Sequence, residues 1–423
     1  MVAFLMAPDD GARILLDRDR RLLYTISLNH FTNDGATTLI SSLFPVMLGL
    51  FHLDYIQVGV LVALGLIVNV VVQPLVGRYA DRVNGDKLML VGMVTILVSL
   101  LLFVFATDFI SLLLITILLR AGSSFFHPVG VTRLSKAFVS AGADRAMGFM
   151  IAFGSLGVFA SFLVGGFLYD LFGWSAPFFV WAVITGITVI VTWTQLRRTL
   201  KSGGDSVRAP ESPPVVDGLV SVKGSIFGRL LAMDRSVAFI LVASTVSSGS
   251  YTVFTSFGNL TLAGRGLSVV DANLGAALFA AVAVTGAYSL GRFRQSFSNA
   301  GLVGSMTLLG IISYVVMALV APPAFDLPMF AIAGFSGGMV GAATLAMAAD
   351  FVDAEIRGLF FGVLFAVQTL GGAAISVASG IVTQAYGLGA PYGMMAAISI
   401  PLVLWAVSVR RSQAPRQPIY STY

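Results

Sequence analysis

The chain has 423 residues, of which 57% are hydrophobic and only 11% charged; a soluble domain carries roughly 25% charged residues, so a soluble enzyme is excluded. The absence of cysteine and the presence of only three histidines rule out disulfides and cysteine nucleophiles and argue against a metal centre or other cofactor. The net charge of +5 does not point to nucleic acid, because the basic residues lie in short stretches between apolar runs, where they set membrane topology.

In chain order, a brief apolar start is followed by Asp9, Asp10 and charges through Arg21. That is the wrong order for a secretory signal, so 1–22 is expected to be a cytoplasmic tail. Crossing the hydrocarbon layer takes about 20 apolar residues. Stretches of that size predict helices over 23–51, 55–77, 88–107, 109–132, 146–170 and 174–196, then over 236–262, 268–290, 299–321, 326–349, 357–385 and 390–409. Backbone groups must be satisfied internally in lipid, which makes each stretch a helix.

The polar segment 197–235, containing the run RAPESPP, divides six predicted spans from six and reads as a cytoplasmic linker. Residues 225–233 within it are compatible with a short surface helix. The tail 410–423 ends the chain. With the N-terminus inside, 23 of the 25 Lys and Arg residues fall on one side, and Arg265 and Arg120 are the two others. The expectation is an all-α membrane protein with twelve transmembrane helices in two six-helix bundles, 23–196 and 236–409. Both termini would be cytoplasmic, and the chain a monomer in the cell membrane.

The two halves repeat at an offset of 214 residues. Gly35 pairs with Gly249, Thr38 with Thr252, Gly77-Arg78 with Gly291-Arg292, and Leu156-Gly157 with Leu370-Gly371. Gly166 pairs with Gly380, Gly173 with Gly387, and Ala176-Pro177 with Ala390-Pro391. Parallel half-repeats are one way in which membrane carriers are built, with the substrate near the midplane between halves.

After the second predicted span the chain reads GRYADRVNGDK, from Gly77 to Lys87. With Gly77, Asp81, Arg82, Gly85 and Lys87 this resembles the loop signature of the major facilitator superfamily, which implies a role in switching between inward- and outward-open states. The alternative for Asp81 and Arg82 is a solvated turn. In the fifth span Gly157, Ser161-Phe162 and Gly165-Gly166 resemble that superfamily's antiporter motif with its Gly-Pro pair replaced. Close helix packing is the competing account of these small residues. HFTND (His30 to Asp34) and RAGSSFFHP (Arg120 to Pro128) resemble the fosmidomycin-resistance branch, which implies export of small drugs or metabolites.

Two charges lie deep. Asp34 and Arg120 are each 11 residues into a predicted span, roughly 17 Å at about 1.5 Å per residue, near the middle of a layer about 30 Å thick. His30, Asp34, Thr37 and Ser41 share one helical stripe, and Arg120, Ser123 or Ser124, and His127 share another. Ser244, Ser248, Thr252, Thr255 and Asn259 form a third, whereas the tenth span offers Gly334, Gly337, Gly338 and Gly341. The resemblance implies that spans one, four, seven and ten line a central cavity.

Asp34 is the expected proton-coupling acid, with His30 and His127 as relays or as structural hydrogen-bonding groups. Arg120 is expected to be its counter-charge or a substrate anchor, with Asn33, Ser124, Thr252 and Asn259 around the substrate. Phe125, Phe126, Phe254 and Phe257 either line an apolar pocket or pack towards lipid.

The expected function is proton-coupled export of a small organic molecule. The alternatives are import of an anionic nutrient held by Arg120, and a carrier-shaped sensor or scaffold. No G-x-x-x-x-G-K-[ST] loop is present to drive an ATP-powered pump. An intramembrane enzyme ranks last, because no acid, base and nucleophile share one depth.

Overall fold

The computed structural model describes residues 17–80, 83–138, 141–201, 235–319, 325–351 and 357–412. They are almost entirely helical, with no strand among the described residues. Numbered one to twelve in chain order, the first four segments are Asp17–Ser42 continued by Phe44–Leu50, Tyr55–Ala80, Gly85–Phe103, and Phe109–Ser123 followed by Phe126–Ala137. Ala141–Phe172 and Ser175–Lys201 complete the first half. Segment seven runs Arg235–Thr252, Val253–Phe257 and Gly258–Gly264. Segments eight to twelve are Val269–Tyr288, Asn299–Leu319, Asp326–Phe351, Arg357–Tyr386 and Ala390–Ser412.

Segments two to twelve are eleven helices long and apolar enough to cross a membrane. Segment one has the length, but Asn29, His30, Asn33 and Asp34 make it too polar to be marked by composition. The fold is compatible with twelve crossings, and segment one carries the polar groups of a site. Of the expected linker, 197–201 continue segment six, while 202–234 and the tails before 17 and after 412 lie outside the described residues.

The repeat is visible in the packing. Segment one packs on five as seven packs on eleven, and three on six as nine on twelve. Likewise two packs on four as eight packs on ten. Between halves, two meets eleven and five meets eight. Gly173 and Gly387, partners in the repeat, both turn with positive φ, +79° and +90°, a conformation that glycine adopts without steric penalty.

Lipid is as apolar as leucine, so helices are held together by close packing and hydrogen bonds rather than by water exclusion. A Cβ on Gly157 would lie 2.1 Å from the Phe31 carbonyl oxygen, and one on Gly35 1.9 Å from the Trp181 ring. Ser161 donates to the Gly35 carbonyl at 2.6 Å. The small residues of the fifth segment are thus used in packing it against the first.

Segments one, four and seven are each broken, unlike the continuous helices expected. Segment one breaks at Leu43, with Pro45 in the first turn of its second piece. Segment four breaks at Ser124–Phe125, ahead of Pro128. Segment seven contains a π-helical turn at Val253–Phe257. Discontinuous helices are typical of carrier binding sites, and π turns are frequent at functional sites.

At the face opposite Asp17 and Ser412, four hydrogen bonds among the described residues join the halves. Asn259 Nδ2 donates to the Ser41 carbonyl at 2.7 Å, and Asn273 Nδ2 to the Ser42 carbonyl at 3.0 Å. The Tyr55 N–H donates to Gln384 Oε1 at 3.3 Å, and Ser376 Oγ to the Gly59 carbonyl at 3.1 Å. Pro45 has no N–H to offer the carbonyl four residues back; that carbonyl is Ser41's, and Asn259 supplies the donor from the other half.

Candidate functional site

The three broken segments surround a cavity of about 200 Å³ between the halves. Segment one contributes Asn33, Asp34, Thr37, Thr38 and Ser41, and segment four Arg120, Ser123 and His127. Segment seven contributes Tyr251, Thr252, Thr255 and Ser256, and segment two Asn69. The three apolar lining residues are Val62, Leu66 and Val158.

Segment one is fixed in rotation by polar contacts away from the cavity. Asn29 Nδ2 donates to Thr192 Oγ1 at 2.8 Å, and the Thr32 and Thr188 hydroxyls lie 2.8 Å apart. Gly154 leaves room for the His30 ring, since a Cβ there would lie 2.5 Å from His30 Nε2. These contacts turn Asp34 towards the cavity and leave His30 behind it.

His30 Nδ1 lies 2.8 Å from the Met150 carbonyl oxygen. A carbonyl only accepts, so Nδ1 carries a hydrogen. The other nitrogen, Nε2, lies 3.0 Å from Asp34 Oδ2. That contact requires a second proton, as histidinium with carboxylate or as imidazole with carboxylic acid. One dissociable proton is therefore shared between His30 and Asp34. Asn33 Nδ2 donates to Asp34 Oδ1 at 2.9 Å, and His127 Nε2 is 3.8 Å from the same oxygen.

The donor atoms of His30, Asp34 and His127 lie within 4.8 Å of one another. The His30–Asp34 contact, at 3.0 Å, is a hydrogen bond and engages the Nε2 atom that a metal ion would need.

Arg120 is not the direct counter-charge of Asp34. The ion-pair contacts of Asp34 among the described residues are the two histidines. The Arg120 side chain runs over Gly65, where a Cβ would come within 3.0 Å of its Nε. It faces the cavity and donates to no side chain among the described residues.

The other expected substrate residues divide. Asn33 and Thr252 line the cavity. Ser124 is buried, with its hydroxyl oxygen 3.0 Å from Asn69 Oδ1 and 2.8 Å from the Arg120 carbonyl oxygen, its one hydrogen serving either acceptor, so it sits behind Asn69 instead of lining the wall. Asn259 is also buried, in the hydrogen bonds between halves, with Asn273 Oδ1 at 3.0 Å.

Segment ten lines none of the cavity among the described residues. Gly334 and Gly338 pack on the Phe279 and Ala283 carbonyls of segment eight, where a Cβ would come within 2.4 and 1.9 Å. Phe126, Phe254 and Phe257 are core residues; Phe254 stacks on Phe279 with ring centroids 4.9 Å apart.

In the expected switch region Gly77 lies near Pro128 and Lys87 is exposed, while Asp81 and Arg82 lie outside the described residues. Sequence reasoning missed Asp86 beside them, which is fully buried with Arg133 Nη2 at 3.1 Å and Thr199 Oγ1 at 2.9 Å. It also missed Asn69 and Tyr251. Asn69 had a signal as an isolated amide in an apolar run; Tyr251 had none that set it apart from the other aromatics.

The sequence profile of the Major Facilitator Superfamily matches residues 26–373. The chain is 23% identical to the fosmidomycin resistance protein of Escherichia coli (strain K12), over 84% of this chain and 86% of that one. It is 30% identical to the probable vesicular acetylcholine transporter-B of Danio rerio, over 44% of this chain and 38% of that one. In fold it is similar to the inward-facing, occupied crystal structure of a bacterial homolog to the human lysosomal transporter Spinster, with a TM-score of 0.75 and 16% identity. That match covers 92% of this chain and 96% of the other. A peptide transporter POT in complex with sulfate gives 0.75 at 13% identity, over 93% and 94%. The fold, the apolar helices and the matched profile agree: the chain is a multi-pass membrane transporter, not an enzyme, and belongs to the Major Facilitator Superfamily.

Proposed function

We propose that the protein is a proton-coupled secondary transporter of a small polar organic molecule, working by alternating access as a monomer in the cell membrane. The observation that supports this reading is the 3.0 Å contact between His30 Nε2 and Asp34 Oδ2, with Asp34 on the wall of a cavity between two halves. Asp34 is the coupling acid, His30 its proton partner, and His127 the group next in line. Arg120, Asn33 and Thr252 hold the substrate, and the region of Gly77, Asp81, Arg82 and Lys87 takes part in the switch between states.

Export is supported by the likeness to a resistance protein. Import of an anion is the second reading, favoured by Arg120 facing the cavity with no side-chain acceptor among the described residues. In proteoliposomes, an imposed pH gradient should drive transport by the native chain, and Asp34→Asn should abolish the response to the gradient. A folded Asp34→Asn protein with unchanged pH dependence removes Asp34 from the mechanism. Fosmidomycin, named in the relative, is the first probe: tolerance raised in cells making the native chain supports export.

A further inference from the structure

We propose that the transported substrate is a small hydrophilic anion, and that it binds together with the proton rather than in exchange for it. This rests on the proton-coupled reading above, takes its second direction, import of an anion, over export, and adds the sign of the coupling.

Size and polarity come first. The cavity of about 200 Å³ falls below the roughly 300–1,000 Å³ of sites for drug-sized ligands. Its wall is hydroxyls, amides and charged groups apart from three aliphatic side chains. A lipophilic or bulky substrate has little to bind there.

Charge decides the rest. An uncompensated charge in the bilayer interior is costly. The groups facing Asp34 are His30 on its own helix, His127 and Arg120 from segment four, and Tyr251 from segment seven. Segments five and six present the Met150 carbonyl and the Thr188 and Thr192 hydroxyls to segment one.

With one proton shared, the His30–Asp34 pair is neutral as a whole. Arg120 is then a positive charge awaiting a partner. With the proton gone, the pair carries one negative charge and the cavity is balanced without a substrate. The two neutral states are therefore proton plus anion, and neither. Exchange of an anion for a proton would pass through one state with a surplus negative charge and another with a surplus positive one. A cation would add to the positive charge of the protonated site.

A carrier that reorients either fully loaded or empty is a cotransporter, and an inward proton gradient then drives uptake of the anion. Binding linkage is reciprocal, so the proton must tighten the anion as the anion tightens the proton.

The experiment uses purified full-length protein in detergent, with methanesulfonate, glycolate, lactate and inorganic phosphate as probes and tetramethylammonium and glycerol as size-matched controls. At least one of the four anions should raise the unfolding temperature. Its affinity should weaken by about tenfold per pH unit across the linked range, as expected for one proton taken up per anion. A pH dye in weak buffer should report that uptake directly.

Arg120→Gln should abolish the anion effect, and Arg120→Lys, which keeps the charge, should retain a weakened one. Asp34→Asn should bind the anion with the pH dependence removed. The proposal is overturned if none of the four anions stabilises the protein, if only tetramethylammonium or glycerol does, or if an anion binds with release of a proton. In each of these cases, pH-gradient-driven transport sensitive to Asp34→Asn would still leave the proton-coupled reading standing.

Discussion

Asp86 lies in the first turn of the third segment, with its side chain fully buried and Arg133 at 3.1 Å. Removing one partner of a buried ion pair weakens the compensation of the remaining charge, at a cost of up to about 3–5 kcal/mol. Arg133→Gln should therefore lower the unfolding temperature sharply, while Asp86→Leu with Arg133→Met should recover much of the loss. Equal destabilisation by the single and double variants would show that the pair is not the cause.

A second residue gives a pH signature. Asp108 caps the fourth segment, accepting from the Ser111 N–H at 2.7 Å. That hydrogen bond holds its carboxyl below the usual aspartate range. The stabilisation is present above the unfolded-state value and is lost as pH falls through the lower folded-state value. Asp108→Asn should keep a cap while removing this acid-side dependence, seen by comparing thermal unfolding from neutral to acid pH.

At this scale the sequence is an uneven guide. Asp34 and Arg120 declare themselves because a charge in an apolar run is expensive and rare. Asp86 does not, because it stands in a loop signature full of charges, where burial leaves no mark. Pairing was less legible than position: two histidines, not the arginine, hold the aspartate.

Among the helices, glycine positions separate contact from tolerance. Gly157→Ala would place a methyl 2.1 Å from a backbone carbonyl that cannot swing away, an overpacking cost of about 1–3 kcal/mol. Gly186 has nothing within 4 Å, so Gly186→Ala should be neutral or stabilising by about 0.5–1 kcal/mol. Unfolding temperatures of the two variants check the contrast. Gly154→Ala is the sharper case: its methyl would displace the His30 ring, and it should weaken proton coupling in the transport assay without changing any polar group.

The existence of segments two to twelve followed from hydropathy, because lipid leaves the backbone no alternative. The breaks in segments one, four and seven were harder to see. Pro45 and Pro128 were visible in the first two, but a proline in a membrane helix permits a break without requiring one. The π turn at Val253–Phe257 follows from tertiary packing and carries no proline to announce it.

For the whole molecule, the offset of 214 residues translated directly into equivalent packing of the two halves. What it could not give is how the halves meet. In the sequence Asn259 was expected beside the substrate, and Asn273 carried no expectation. The geometry commits both to segment one, across the boundary between halves.

Removing either donor leaves a buried carbonyl without a partner, about 1–3 kcal/mol, where 1.4 kcal/mol is a tenfold change in population. Because the chain has no cysteine, Thr38→Cys on the cavity wall gives a single reporter. Adding Asn273→Ala should speed its reaction with a membrane-impermeant thiol reagent applied from the face opposite the termini. An unchanged rate would mean that these hydrogen bonds do not hold that face shut.

The acceptors in this seal are main-chain oxygens, exposed where segment one breaks ahead of Pro45 and common to every residue type. No substitution at 41 or 42 can delete them. How readily the far side unlatches can thus be tuned from the second half only, through the side chains at 259, 273, 376 and 384. A carrier of this design would adjust its resting orientation through its second half while the half that carries His30 and Asp34 stays untouched.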